Sequence, residues 1–153
     1  MTRLMCFTAA AAGVAALALL TGWESDASTG PATIRITSRE ISRIRIDLGR
    51  PGRGPGDTEI VRLNLFNKRI KRAPIGQAEY VCTFTTRRLR SCTASISLPR
   101  GRIVAGGSIQ FTELYELAVL GGTRLYDDAR GTLTAIRTTR SPRRDILLFR
   151  LTG

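Results

Sequence analysis

The side chains that could perform acid, base or nucleophilic chemistry are few in this sequence. It contains no histidine, which excludes serine–histidine and cysteine–histidine nucleophile pairs as well as histidine metal ligands. Tyr80 combines an aromatic wall with a hydroxyl donor, so it is the first candidate for a catalytic residue, and core packing is its alternative role. Glu113 and Glu116 flank Tyr115 near an expected loop, where they suit acid–base work or remain solvated charges.

Metal and cofactor motifs are missing from the sequence. No spacing of cysteines or carboxylates matches a metal site, and no glycine-rich phosphate loop or nucleophile motif is present. We therefore expect a protein that works without a metal or cofactor.

Positive charge dominates the composition. The chain has 153 residues and a formal net charge of +12, and only Lys68 and Lys71 among its 24 cationic residues are lysine. A GC-rich coding sequence would produce this excess of arginine without any binding role, whereas a functional interpretation is attraction to a polyanion. Aromatic residues make up only 6% and do not alternate with basic ones, so nucleic acid is not favoured as a partner.

The N-terminal residues have the pattern of an export signal. A short positive start at Arg3 precedes an apolar run from Leu4 to Leu20, and Ser25-x-Ala27 fits a signal-peptidase site. We expect a signal peptide over residues 1–27, cleavage after Ala27 and a secreted mature protein. The alternative is an uncleaved N-terminal membrane anchor, although the run is slightly shorter than the ~20 apolar residues of a full span.

The mature chain that this cleavage would leave is one domain without a transmembrane span. Residues 28–153 would carry a net charge of +13. We divide them into N-terminal strands with a Gly/Pro-rich loop over 28–56 and a barrel core over 57–153.

Short runs of alternating apolar and polar residues fill this region, and glycine and proline separate them. This pattern predicts an all-β domain, either an antiparallel barrel or a sandwich, with eight or nine strands. The predicted strands are 33–37, 42–48, 59–66, 76–85, 90–98, 102–109, 116–120, 131–137 and 145–151.

Two cysteines remain after cleavage, and they fit one hairpin. With the turn centred on Arg87, Cys82 lies directly opposite Cys92, which is near disulfide reach. We predict a disulfide between them; two buried free thiols are the alternative.

A family resemblance extends over about residues 57–152. It begins with Gly56-Asp57, Leu63-Asn-Leu-Phe-Asn67 and Pro74-Ile-Gly76 before the Cys82 strand. It continues with Leu98-Pro-Arg-Gly-Arg-Ile103 and Ala105-Gly-Gly107, then with Ala118-Val-Leu-Gly-Gly-Thr123 and Tyr126-Asp-Asp-Ala-Arg-Gly131. These segments resemble the allene oxide cyclase and dirigent barrel family, especially its exported bacterial members. The sequence departs from the family's Gly-Gly-Thr-Gly turn at Arg124, where an arginine in the left-handed conformation would be strained.

This resemblance implies an eight-stranded antiparallel barrel, often trimeric, that follows the N-terminal signal helix. It also implies an apolar cavity that binds an apolar small molecule and guides its cyclisation or isomerisation with few catalytic groups. The expected cavity-lining residues are Leu63, Leu65, Phe84, Ala94, Ile96, Ile103 and Phe149.

Two alternatives stay open at this point. A one-residue shift in strand parity would place the opposite faces inside the barrel. The alternative polar site would then consist of Arg62, Asn64, Glu79, Glu113 and Tyr115. The second alternative is a non-enzymatic exported barrel that binds anionic surfaces or partners through its basic face.

Overall fold

A closed antiparallel barrel of eight strands forms the protein. The computed structural model describes residues 32–49, 51–67, 73–110, 112–138 and 144–152. Each strand pairs with its neighbours in sequence, and the last strand closes onto the first. The strands are β1 (Ala32–Ile46), β2 (Thr58–Phe66), β3 (Gly76–Phe84), β4 (Leu89–Leu98), β5 (Gly101–Gln110), β6 (Leu114–Gly122), β7 (Arg130–Arg137) and β8 (Arg144–Thr152).

This architecture confirms the predicted all-β antiparallel barrel. The expected signal peptide, residues 1–27, lies outside the described residues. Within the described ranges, no helix has the length and apolar character needed to cross a membrane.

The first strand differs from the prediction. Residues 33–37 and 42–48, predicted as two strands, belong largely to one long strand, because no glycine or proline separates them. The pairing of β1 with β2 shifts between Glu40 and Ser42, so Ile41 forms a bulge. A bulge reverses which side chains face inward.

The reversal changes which face of β1 is buried. Ser38 is buried before the bulge, whereas after it Arg43 reaches buried Glu59 inside the barrel. Ile44 and Ile46 consequently face outward and are about half exposed. The apolar face of this segment is therefore an outer face, contrary to the assignment of apolar faces to the interior.

The middle of the barrel is filled by side chains. An eight-stranded barrel is just wide enough for inward-facing residues to pack against each other. Among the largest side chains with almost no exposed area are Phe149, Leu65, Ile96, Ile103, Leu133 and Leu147. The described structure therefore has a packed apolar centre, and not the wide apolar lumen that the resemblance implies.

A short turn covers one end of the barrel. Residues Arg124–Tyr126 form a 3-10 turn after β6, and the Tyr126 side chain is buried. A Cβ atom at Gly122 would lie 2.2 Å from the carbonyl oxygen of Arg102, so only glycine fits there. Arg124 has a φ of 58°, which places it in the left-handed conformation anticipated from the sequence.

The predicted disulfide is present. Cys82 and Cys92 lie directly opposite each other on β3 and β4, with their Cα atoms 4.1 Å apart and their sulfur atoms bonded. The hairpin register deduced from the sequence is therefore confirmed.

Removing this bond should destabilise the barrel moderately. We expect the double variant Cys82→Ala/Cys92→Ala to lose about 2–3 kcal/mol of unfolding free energy, because the bond closes only a short loop in the unfolded chain. Denaturant unfolding measures this difference, and wild-type protein with dithiothreitol is the matched control. Equal unfolding midpoints for the oxidised wild type and the variant would contradict the expectation.

Candidate functional site

At one end of the barrel, the inward-facing positions of several strands carry charged side chains. Glu59 comes two residues before Val61 on β2, and Asp145 two residues before Leu147 on β8. Because neighbouring strands are antiparallel, the starts of β2, β4, β6 and β8 meet the ends of β3, β5 and β7 at the same end. We call this the polar end, defined by Glu59, Tyr80, Arg90, Tyr115, Arg137 and Asp145.

A buried ion pair lies at the polar end. The Arg90 guanidinium donates a hydrogen bond to one oxygen of Glu59 at 2.5 Å, and the two side chains are only 3% and 5% exposed. Burial lowers the pKa of Arg90 to about 10, which leaves it protonated at neutral pH. The other Glu59 oxygen accepts a hydrogen bond from Arg43, which also binds Glu40 at 2.7 Å. Arg43 therefore covers the pair from the solvent side.

A second pair of oppositely charged side chains lies at the polar end. Arg137 and Asp145 are cross-strand neighbours on β7 and β8, and their closest nitrogen and oxygen atoms are 3.4 Å apart. Burial raises the pKa of the Asp145 carboxyl, and the opposing charge of Arg137 lowers it in part. The Asp145 carboxyl is thus more easily protonated near neutral pH than the carboxyl of a solvated aspartate.

Two tyrosines complete the polar end. Burial is the main cause that raises the pKa of the hydroxyl groups of both Tyr80 and Tyr115. The Tyr80 hydroxyl is fully buried and forms no hydrogen bond of standard geometry to any described residue, although its interaction with the Tyr115 hydroxyl also raises its pKa. The guanidinium of Arg137 lies over the Tyr115 ring, 6.0 Å from its centre. Tyr80 therefore offers a desolvated donor that a bound molecule can satisfy.

A small cavity lies between these groups. Its volume is about 20 Å³. One water molecule needs roughly 10–15 Å³ of such space, so the cavity as it stands accommodates one. The lining combines the six residues of the polar end with apolar walls from Val61, Leu63, Cys82 and Ile109.

Only some of the residues predicted to line a cavity do so in the structure. Tyr80 and Leu63 line the cavity at the polar end. The other predicted lining residues are buried but do not line this cavity: Leu65, Phe84, Ala94, Ile96, Ile103 and Phe149. Five of these six belong to the packed core, whereas Phe84, at the end of β3, lies beneath the Arg90 guanidinium, with 5.5 Å between the guanidinium and the ring centre.

The residues of the alternative polar site are not brought together. Arg62 and Glu79 form an ion pair at 2.8 Å on the outer surface, and Asn64 lies opposite Gln77 on that same face. Glu113 is an exposed loop residue, so only Tyr115 reaches the polar end. The parity that places Tyr80 inside necessarily places Glu79 outside.

Four residues of the polar end were missed from the sequence: Glu59, Arg90, Arg137 and Asp145. A signal for them exists, because each is two residues from an inward-facing apolar residue on its own strand. In a sequence, however, a charged residue at a strand end looks like an ordinary solvent-exposed residue. Only the meeting of several such strand ends in the structure shows that these residues form a site.

The loop between β1 and β2 is fastened beside the polar end by Asp57. Its buried carboxylate accepts hydrogen bonds from the backbone N–H groups of Leu48 and Gly54 and from the Arg45 guanidinium, all at 2.9 Å. These bonds, led by those of the backbone groups, hold the pKa of Asp57 below its usual value. The Gly/Pro-rich segment is thereby tied to the barrel.

Metal-binding groups do not cluster in the described part of the chain, where no three cysteine, aspartate or glutamate side chains come together as ligands.

Comparisons with known proteins relate this barrel to several enzymes. Neither a protein-family model nor a curated protein matches the sequence. Among solved structures, a pyocyanin demethylase is 25% identical, with a TM-score of 0.68 over 79% of this chain and 100% of that one.

Two further solved structures share the fold at lower sequence identity. The Diels-Alderase AbmU from Streptomyces koyangensis is 18% identical, with a TM-score of 0.62 over 78% of this chain and 64% of that one. The pterocarpan synthase dirigent protein GePTS1 is 13% identical, with a TM-score of 0.62 over 80% and 86% of the two chains. The chain thus has the eight-stranded barrel fold of these solved structures, which is the fold that the resemblance to the allene oxide cyclase and dirigent family implies.

Proposed function

We propose that the protein binds a small organic molecule at the polar end of its barrel and assists the cyclisation or isomerisation of that molecule without a cofactor. The observation that carries this proposal is the buried Tyr80 hydroxyl, which interacts with Tyr115 but forms no hydrogen bond of standard geometry among the described residues, and which lines the same cavity as Tyr115 and Asp145. Buried polar groups are normally satisfied, and exceptions are enriched at functional sites.

Each group has a role that its surroundings suit. Tyr80 donates a hydrogen bond to an oxygen or nitrogen acceptor of the ligand. Asp145, whose pKa is raised, exchanges a proton with the ligand. The Glu59–Arg90 pair is fixed by two-sided contacts and supplies a constant electrostatic field, while Val61 and Leu63 provide apolar walls.

The position of the ligand follows from the packing of the barrel. The centre is filled, so a ligand enters from the mouth at the polar end and does not extend through the barrel. The cavity holds only one water, so side chains at its mouth must move to admit a larger molecule. Arg43 is about one-fifth exposed, which makes it the accessible member of the cluster.

The solved relatives agree with a ligand that contains rings. One is named for the demethylation of pyocyanin, and others for Diels-Alder cyclisation or pterocarpan synthesis. We propose a largely apolar ring-containing ligand with one hydrogen-bond acceptor. We also retain export in the proposal, because the disulfide suits an oxidising compartment.

The variant Tyr80→Phe tests the proposal. We expect ligand affinity or turnover to fall by about tenfold or more, equivalent to about 1.4 kcal/mol, because the ring remains while the donor is lost. Thermal stability should be largely retained, since the lost hydroxyl forms no hydrogen bond of standard geometry in the described structure. The measurements are thermal unfolding and absorbance titration with pyocyanin and a panel of aromatic ketones.

Tyr126→Phe is the matched control, because Tyr126 is also buried but covers the opposite end of the barrel. It should leave binding unchanged. Equal binding by wild type and Tyr80→Phe, or no binding of any panel member by wild type, would contradict the proposal.

A further inference from the structure

A second concave surface lies on the outside of the barrel, at the end opposite to the polar end. This groove has a volume of about 390 Å³ and is lined by Ser97, Leu98, Gly101, Arg102, Thr123 and Arg124. We propose that it binds the phosphate or carboxylate group of a small molecule between Arg102 and Arg124, with the apolar part of that molecule against Leu98.

The two arginines carry uncompensated charge. Neither Arg102 nor Arg124 forms an ion pair with an acidic side chain among the residues that the structure describes. Elsewhere on the outer surface an exposed arginine does pair where an acid is opposite it, as Arg62 does with Glu79. Two guanidinium groups at one groove present forked donors that match the oxygen atoms of phosphate and carboxylate groups.

The backbone at Arg124 is a separate observation. Its φ of 58° lies in the left-handed region, which arginine adopts at a cost in free energy that glycine would avoid. The turn holds this conformation, because Arg124 lies between Thr123 and Tyr126, where the Thr123 carbonyl accepts a hydrogen bond from the backbone N–H of Tyr126 at 3.2 Å. Arginine occupies this unfavourable conformation at a position where glycine would be tolerated, which indicates that the arginine side chain has a function.

The rest of the groove is organised around Arg102. Its backbone N–H donates to the Thr123 hydroxyl at 3.2 Å, and its carbonyl accepts from the Thr123 N–H at 2.9 Å. Ser97 is its cross-strand neighbour and adds a hydroxyl group to the lining. Leu98 supplies an apolar wall, which favours a small amphipathic anion over a fully hydrated one.

A titration followed by NMR tests the site. Arginine Nε–Hε signals of the full chain are monitored at low ionic strength as inorganic phosphate or phenyl phosphate is added. We expect saturable shifts with both ions and tighter binding of phenyl phosphate. Arg124→Gly and Arg102→Ala should each weaken binding by about tenfold, since a hydrogen bond to a charged group is lost.

The variants separate this site from general electrostatic attraction. Arg124→Gly should keep or raise the melting temperature while it weakens binding, a combination that a purely structural role would not give. Arg87→Ala removes the same charge from the turn between β3 and β4 and should leave the affinity unchanged. If Arg124→Gly does not fold, the comparison of Arg102→Ala with Arg87→Ala decides alone.

Three results would overturn the proposal. They are shifts that do not saturate, equal weakening by Arg87→Ala, and binding to phosphatidylglycerol vesicles without binding to either soluble phosphate. The last result would assign the groove to a membrane surface. Equal affinities for phosphate and phenyl phosphate would disprove the contact with Leu98.

Discussion

Replacing Glu59 with alanine is expected to lower the free energy of unfolding by about 3–5 kcal/mol. Glu59 is the carboxylate that Arg90 contacts at 2.5 Å, and the guanidinium of Arg90 is almost completely buried. The substitution removes that partner and leaves a buried cation without its ion pair, which costs far more than the loss of a surface contact. Denaturant unfolding of the purified variant measures the effect.

Two control variants test whether the loss of stability comes from the burial of this ion pair. Glu79→Ala breaks an exposed ion pair with Arg62 and should cost less than about 1 kcal/mol. Glu59→Leu combined with Arg90→Met removes both charges and should recover most of the lost stability. The expectation is wrong if Glu59→Ala and Glu79→Ala destabilise the barrel equally.

Replacing Phe149 with alanine is expected to cost about 3–5 kcal/mol as well, for a different reason. Phe149 is the largest fully buried side chain among the residues that the structure describes, and its truncation leaves an apolar void at the centre of the barrel. Such voids remain dry and accept small apolar molecules. The variant should therefore bind benzene or xenon, and added benzene should raise its melting temperature.

Phe149→Leu is the graded control, because it retains most of the volume and should be clearly more stable than Phe149→Ala. A loss below about 1 kcal/mol for Phe149→Ala would show that the centre collapses around the void or was never tightly packed. Wild-type protein should not respond to benzene, since its centre is filled.

The fold was predictable because its information is local. Alternation with a period of two marks the strands, and the parity of Leu63, Tyr80 and Ala94 correctly identifies buried faces. The opposition of Cys82 and Cys92 follows from counting residues around one turn. These inferences need only neighbouring residues and the geometry of a hairpin.

The site was less predictable because it depends on contacts between distant strands. Arg90 and Glu59 are separated by 31 residues, and each resembles a solvated strand terminus when taken alone. The bulge at Ile41 has no glycine or proline to mark it, so the inward orientation of Arg43 could not be read from the pattern. The cavity volume depends on how all inward side chains pack, which no local pattern contains.

The long β1 strand also affects how separate molecules meet in solution. Its pairing with β8 ends at Arg39, whereas its pairing with β2 continues to Ile46, and no other described strand covers that edge. A strand edge that no described strand covers, with apolar residues such as Ile44 beside it, is a template for sheet growth between molecules.

Charged side chains often prevent pairing at such an edge, but two of the arginines on this segment are held in ion pairs. Arg43 and Arg45 form ion pairs with Glu59 and Asp57, whereas Arg35, earlier on the same strand, is exposed. The bulge, which twists the edge, and long-range repulsion between molecules with a large positive net charge both oppose such growth. On this view the excess of arginine over acid gives the barrel colloidal stability, whatever its origin in codon usage.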